Sequence, residues 1–308
     1  MRDDLPLVWL PFDPELLGEP PSGLRYEVVV PGDAQELPES VSEVELYVPP
    51  YRFSRRDSAV MSRMPRLRVV QTMTAGVDHI RSFVPEGVTL CNGRGIHDTS
   101  TAELAVALML ASRRGLPDFV RAQERGQWSP FVAPALADST VLIVGYGAIG
   151  AAIEQRLTGF EVDVVRVART ARDGVHGFAE LPELVPQADV VVLIVPITDQ
   201  TRHLVDAGFL SRMKDGALLV NVARGPVVDT DALVQALGTR RIHAALDVTD
   251  PEPLPEEHPL WSAPNLLLSP HVGGATEVMW PRTYRVLREQ LARFAKGEPM
   301  ANVMEGDY

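Results

Sequence analysis

The sequence contains one cysteine, Cys91, in 308 residues. A single thiol forms no internal disulfide and leaves no cysteine cluster for zinc, which fits a reducing compartment, and no metal is expected. Long apolar runs are missing too. The longest, such as Leu104 to Ala111 and Val190 to Pro196, fall far short of the ~18 residues that a membrane-crossing helix needs. Basic residues are in deficit, 29 Lys and Arg against 41 Asp and Glu, for a net charge of −12. That is the wrong sign for a protein whose affinity comes from neutralising phosphates, so neither nucleic acid nor an anionic membrane surface is an expected partner. The opening Met1-Arg2-Asp3-Asp4-Leu5-Pro6 has acids and a proline where a signal peptide has a basic end and an apolar core, and the expected location is the cytoplasm. No solenoid-period repeat and no low-complexity segment interrupts the chain.

What is present is an ordinary globular composition, 45% hydrophobic and 23% charged, in a chain about twice the ~150-residue prior for one domain. Over the first ninety residues, short apolar or β-branched runs bounded by turn residues predict strands at Val8 to Phe12, Tyr26 to Val30, Val44 to Val48, Leu67 to Thr72 and Val88 to Cys91. Helices between them are weakly marked. Ser100 followed by Glu103 then reads as a capping box ahead of Leu104, Ala105, Leu108 and Met109. From Val141 onward, strands alternate plainly with short helices, at Val141 to Val144, Val162 to Ala168, Val190 to Val195, Ala217 to Val222, Ile242 to Val248 and Leu266 to Ser269. This is the pattern of an α/β doubly wound parallel sheet. A helix from Asp231 is predicted to open on a Thr230 cap. A last amphipathic helix, from about Thr276 to Lys296, carries Val286, Leu287, Leu291 and Phe294 on one face and could return to the first domain.

Gly145-Tyr-Gly147-Ala148-Ile149-Gly150 follows a strand and opens a helix. In that context the glycines serve a tight turn, close approach of the backbone to a pyrophosphate, and helix-to-strand packing, with the phosphates at the helix N-terminus. The motif predicts a dinucleotide site that includes Gly145, Gly147, Ala148 and Ile149. An NAD-selective site places an acid at the tip of the next strand, but here stand Ala168-Arg169-Thr170-Ala171-Arg172. Asp163 lies at the start of that strand, where it reads as a solvated side chain. Arg169 and Thr170 suit a 2′-phosphate, with Arg172 as a further donor, so NADP(H) is the preferred cofactor and NAD(H) the alternative. A solvent-facing basic turn is the other reading of these residues.

Three more segments follow strands of the same sheet: Asn221-Val-Ala-Arg224-Gly, Asp247 with Glu252 five residues later, and Pro270-His271-Val-Gly273. Ligands of open α/β sheets bind beyond the carboxyl ends of the strands. Arg224 is suited to clamp a carboxylate, and His271 to carry a proton near neutral pH with Glu252 beside it. Singly, each also reads as a surface ion pair, a core histidine or a solvated acid. Pro196 and Gly273 complete the expected cofactor contacts.

Together these residues resemble the D-isomer-specific 2-hydroxyacid dehydrogenases, from Thr74-Ala75-Gly76-Val77-Asp78-His79 through the glycine motif to the Gly297-Glu-Pro-x-x-Asn302-Val303 tail. The resemblance implies two doubly wound domains, a Rossmann cofactor domain at 95–273 inserted into a flavodoxin-like substrate domain at 1–94 plus 274–308. It implies Arg224, Glu252 and His271 as catalytic residues. Arg224 would bind and polarise a 2-keto acid, Glu252 tune His271, and Asp247 and His271 lie at the nicotinamide. Ala75, Gly76 and Val77 would hold the substrate carboxylate. It further implies reduction of a small 2-keto acid, of the glyoxylate or hydroxypyruvate type, to the D-2-hydroxy acid and the reverse oxidation. A homodimer built around Ser100 to Trp128 is implied as well, with Trp128 either reaching the partner's site or belonging to this chain's own core. Phosphoglycerate-specific members carry an arginine where this chain has Val48-Pro49-Pro50-Tyr51, and formate dehydrogenases have glutamine in place of Glu252, so both branches are disfavoured. The pocket wall is expected from Val48 to Phe53, Met73 to Val77 and Trp280. The alternative is an NAD(H)-sensing, corepressor-like binding protein of the same fold; no long tail for partner binding follows Val303.

Overall fold

The computed structural model describes residues 5–30, 36–51 and 59–306. The part of the expected pocket wall at Arg52 and Phe53 lies outside them. The chain divides into two units, residues 1–97 with 277–308 and residues 98–276.

In the first unit, β1 (Leu7–Leu10), β2 (Arg25–Val28), β3 (Val44–Tyr47), β4 (Val69–Gln71) and β5 (Thr89–Cys91) form one sheet. Its order is β2-β1-β3-β4-β5 and every pair is parallel, which is flavodoxin-like. Parallel strands covered on both faces read as continuous apolar runs rather than as alternation, and β1 is buried at all four positions. Trp9, Tyr47 and Val70 pack on one side. Val8, Leu10 and Leu46 pack on the other, together with Leu287, Leu291 and Phe294 of the C-terminal helix. Burying side chains of that size contributes about 1.5 to 3 kcal/mol each, and this draws the chain's last helix back to its first sheet.

The second unit holds β6 (Thr140–Val144), β7 (Asp163–Ala168), β8 (His176–Gly177), β9 (Val190–Leu193), β10 (Leu218–Asn221), β11 (His243–Leu246) and β12 (Leu266–Leu268). The sheet runs β12-β11-β10-β9-β6-β7-β8, all parallel. This is the dinucleotide-binding order with one strand added at an edge. Val141 and Ile143 face α1 (Asp98–Arg113) and α3 (Ala148–Leu157). Leu142 and Val144 face α5 (Ala207–Arg212) and α6 (Thr230–Gly238). Two further helices, α2 (Leu116–Glu124) and α4 (Leu181–Leu184), complete the second unit, and α7 (Met279–Lys296) belongs to the first.

Two predicted caps are corrected. Helix α1 begins at Asp98, so Ser100 lies inside its first turn, and its hydroxyl is hydrogen-bonded to Thr276 Oγ1 at 2.7 Å rather than to the helix end. Helix α6 is capped by Asp229, whose carboxylate accepts from Ala232 N at 3.0 Å, while the Thr230 hydroxyl donates to Asp250 O. A carboxylate is at least as good a cap as threonine, and Thr230 is engaged elsewhere. The two-residue β8 carries too few residues to be read as a run.

Candidate active site

The candidate residues of the second unit sit past the carboxyl ends of three neighbouring strands. The register pairs Asn221 with Leu246 and Leu246 with Leu268, so the loops after β10, β11 and β12 leave the sheet side by side. Asn221 organises the first of them. Its Oδ1 accepts from Ala223 N at 3.0 Å and its Nδ2 donates to Arg224 O at 3.0 Å, which sets the backbone from which the half-buried Arg224 projects. Arg224 Nη1 donates to Ala223 O at 2.8 Å.

His271 and Glu252 meet directly, with Nδ1 and Oε1 2.5 Å apart and 46% and 41% of their side-chain surfaces exposed. The Glu252 carboxylate raises the His271 pKa against the opposing effects of burial and of nearby Arg224. Burial pushes the Glu252 carboxyl up, but the His271 ring, the Thr249 backbone and Arg224 together hold it below the usual carboxylate range. The pair therefore favours imidazolium beside carboxylate. His271 has φ of +52°, a left-handed conformation that a residue with a Cβ adopts at a cost of order 1 to 3 kcal/mol.

Asp247 is what holds that conformation. It is buried, and its Oδ1 accepts from Ser269 Oγ at 2.6 Å and from Val272 N at 2.9 Å. Its Oδ2 accepts from Gly273 N at 2.8 Å, and its backbone oxygen accepts from His271 N at 2.7 Å. The residue thus clasps the whole loop bearing His271, an arrangement that spacing along the chain did not announce. The signal that reveals it, a buried carboxylate accepting from Ser269 Oγ, Val272 N and Gly273 N of one loop, exists only in three dimensions.

The glycine motif fits a dinucleotide phosphate. Gly145 has φ of +112°, and a Cβ there would stand 2.4 Å from Ile194 O. A Cβ at Gly150 would stand 2.4 Å from Gly145 O, whereas one at Gly147 would meet nothing within 4 Å. Two glycines thus permit close packing, and the middle one leaves open space at the N-terminus of α3, where Ala148 and Ile149 begin the helix. After β9, Thr201 Oγ1 donates to Pro196 O at 2.6 Å and accepts from Thr198 N at 2.8 Å, fixing the turn at Pro196. Beyond β7, Arg169 and Thr170 are exposed. Arg172 is tied back to the motif, with Nη2 donating to Tyr146 O at 2.6 Å and its guanidinium 6.0 Å from the Tyr146 ring centroid.

A model of the D-isomer specific 2-hydroxyacid dehydrogenase NAD-binding domain matches residues 106–273. The chain is 36% identical to the glyoxylate reductase of Pyrococcus horikoshii, over 89% of this chain and 88% of that one. The chain belongs to the D-isomer-specific 2-hydroxyacid dehydrogenase family. It is 35% identical to the human glyoxylate reductase/hydroxypyruvate reductase, over 78% of this chain and 77% of that one. A D-isomer specific 2-hydroxyacid dehydrogenase of Xanthobacter autotrophicus, solved in complex with NADPH and MES, superposes with a TM-score of 0.82 at 30% identity, covering 97% and 98% of the two chains. As a 2-hydroxyacid dehydrogenase, the protein is an oxidoreductase that uses a nicotinamide cofactor and acts on small 2-hydroxy and 2-keto acids. The corepressor-like alternative is not favoured.

In the first unit of this dehydrogenase, the loop at Ala75, Gly76 and Val77 follows β4. Its carbonyls are engaged inwardly, Thr74 O by Gly93 N, Ala75 O by Asn92 Nδ2 and Gly76 O by the Thr74 hydroxyl. Trp280 stacks on Tyr284 and lies 6.1 Å, ring to ring, from Tyr51. Trp128 is 96% exposed and so is no part of this chain's own core. Among the described residues no helix is long and apolar enough to cross a membrane and no group of acidic, His and Cys side chains could hold a metal ion.

Proposed function

We propose that the protein reduces glyoxylate- or hydroxypyruvate-type 2-keto acids to D-2-hydroxy acids with NADPH, and catalyses the reverse oxidation. The observation that carries this reading is the 2.5 Å contact between His271 Nδ1 and Glu252 Oε1 on a loop clasped by Asp247. With Nδ1 turned to the carboxylate, His271 Nε2 is the atom that delivers a proton to the keto oxygen and recovers it in oxidation. Glu252 holds the imidazolium in place, and Arg224 binds the keto acid and stabilises charge developing on its oxygen. When bound, the reduced nicotinamide supplies the hydride. Gly145, Gly147, Ala148 and Ile149 would receive its pyrophosphate, and Pro196, Asp247, His271 and Gly273 would line its nicotinamide end. Ala75, Gly76 and Val77 would hold the substrate carboxylate.

NADPH is favoured over NADH because Ala168 leaves the tip of β7 without an acid, while Arg169 and Thr170 are exposed there to meet a 2′-phosphate. The NADPH bound to the Xanthobacter relative supports the same choice. A cytoplasmic homodimer is part of the proposal. Leu116, Phe119, Val120, Phe131 and Val132 are exposed alongside Trp128, more apolar surface than a solvated connection carries. Sedimentation at micromolar concentration should give a dimer, and a species of 33.7 kDa would contradict it. The function is tested by assaying a panel of 2-keto acids with both cofactors. Glyoxylate or hydroxypyruvate should turn over with wild-type protein, and His271→Ala should lose about 10²- to 10⁴-fold. Near-normal turnover in that variant would overturn the assignment.

A further inference from the structure

The strongest feature outside the candidate active site is a concavity of about 470 Å³ on the first unit, between α7, the segment after β5 and the C-terminal tail. Arg94, Arg285 and Arg293 line it, and Glu289 is its sole acid. Arg285, Glu289 and Arg293 are spaced four residues apart and share one face of α7. That helix carries five basic residues and one acid, in a chain whose net charge is −12.

The walls are fixed while the charges are not. Gln290, buried at the floor, donates to Gln71 Oε1 at 2.6 Å and to Ala301 O at 2.7 Å, and accepts from Ala301 N at 2.9 Å. Asn302, at φ of +57°, donates through Nδ2 to Arg94 O at 3.2 Å, and its own oxygen accepts from Asn92 N at 3.0 Å. Arg94 N donates to Asn92 Oδ1 at 3.1 Å. The Arg94 backbone is therefore held on both sides. Among the described residues, however, neither the Arg94 nor the Arg285 guanidinium makes a hydrogen bond or an ion pair, and Arg293 donates only to Pro299 O at 3.2 Å. Guanidiniums gathered on rigid walls with a carboxylate deficit are the composition of an oxyanion receptor, since each presents a planar fork that matches phosphate and carboxylate.

We propose that this concavity is a second anion site, separate from the candidate active site, that takes a small oxyanion of at least two negative charges through Arg94, Arg285 and Arg293. Both wall segments lie next to the points where the chain leaves the first unit, Arg94 just before His97 and α7 just after Glu277. An occupied site would join them.

The test is calorimetric titration of the full chain, saturated with NADPH so that the glycine turn is filled, with inorganic phosphate and separately with succinate, against potassium chloride of equal ionic strength. Saturable binding of one ion per chain is expected. Arg94→Ala and Arg285→Ala should each weaken it about tenfold, with KM for the keto acid and for NADPH unchanged. Phosphate without succinate binding would assign the site to phosphate esters, and binding of both would assign it to dianions generally. No saturable binding beyond the chloride control, or binding that survives both substitutions, would overturn the proposal. So would binding lost only together with a rise in KM for the keto acid, because the ion would then occupy the substrate site.

Discussion

Replacing the motif glycines one at a time by alanine separates cofactor binding from folding. At Gly147 the backbone is extended, with φ of −99° and ψ of −154°, and an added methyl meets nothing within 4 Å. Gly147→Ala should therefore leave the melting temperature nearly unchanged: alanine is a poorer N-cap than glycine by up to about 1 kcal/mol, but it also restricts the unfolded chain, which returns about 0.4 to 1 kcal/mol. The methyl would stand where a pyrophosphate approaches the first turn of α3. Losing one or two charge-assisted contacts of about 1.5 to 3 kcal/mol should raise KM for NADPH roughly tenfold to a hundredfold. Gly150→Ala is the converse case. Its methyl would stand 2.4 Å from Gly145 O and 3.4 Å from Ile143 Cγ2, so backbone must shift at a cost of about 1 to 3 kcal/mol. In a unit of this size that corresponds to a fall of roughly 2 to 12 °C in melting temperature. Thermal unfolding without ligand and steady-state kinetics with varied NADPH read the two effects separately. If Gly147→Ala melts like wild type and also keeps wild-type KM for NADPH, the turn is not the phosphate cradle. If Gly150→Ala melts like wild type, the close-packing argument is wrong.

The charges at the site set both the pH profile and the cofactor choice. Because Glu252 raises the His271 pKa, the reduction rate should hold below that raised value and fall as pH rises through it, while hydroxy-acid oxidation, which needs the neutral ring, should rise over the same interval. Glu252→Gln keeps an acceptor but removes the charge. At side chains 46% and 41% exposed, solvent screening holds the difference to about 1 kcal/mol, so the decline in reduction should begin at lower pH, with the rate on the alkaline side down about fivefold; an unshifted profile would sink the pairing. Arg169→Ala should remove most of the NADPH preference, a roughly tenfold effect measured as the ratio of kcat/KM for NADPH and NADH, and equal use of both cofactors by the wild type would show that the arginines form only a solvated turn.

Much of the fold was legible along the chain because its signals are local. Buried parallel strands such as Val190–Leu193, and Leu218–Asn221 up to its terminal Asn221, are continuous apolar runs, and the spacing of Gly145, Gly147 and Gly150 is that of one turn entering one helix. The positions of Arg224, Glu252 and His271 could likewise be marked as residues just past strand ends. Tertiary structure decided the rest. The caps of α1 and α6 depended on the partners that Ser100 and Thr230 meet at Thr276 and Asp250. The two-residue β8 exists only because β7 offers it an edge. Arg172 was read as a phosphate donor from sequence, yet its guanidinium leans on the carbonyl and ring of Tyr146. The grip of Asp247 on residues 269–273 joins groups more than twenty positions apart. Backbone propensity and apolar periodicity act within a few residues, so they write elements and turns into the sequence. A side chain's choice among competing hydrogen-bond partners is settled only when packing brings those partners within about 3 Å.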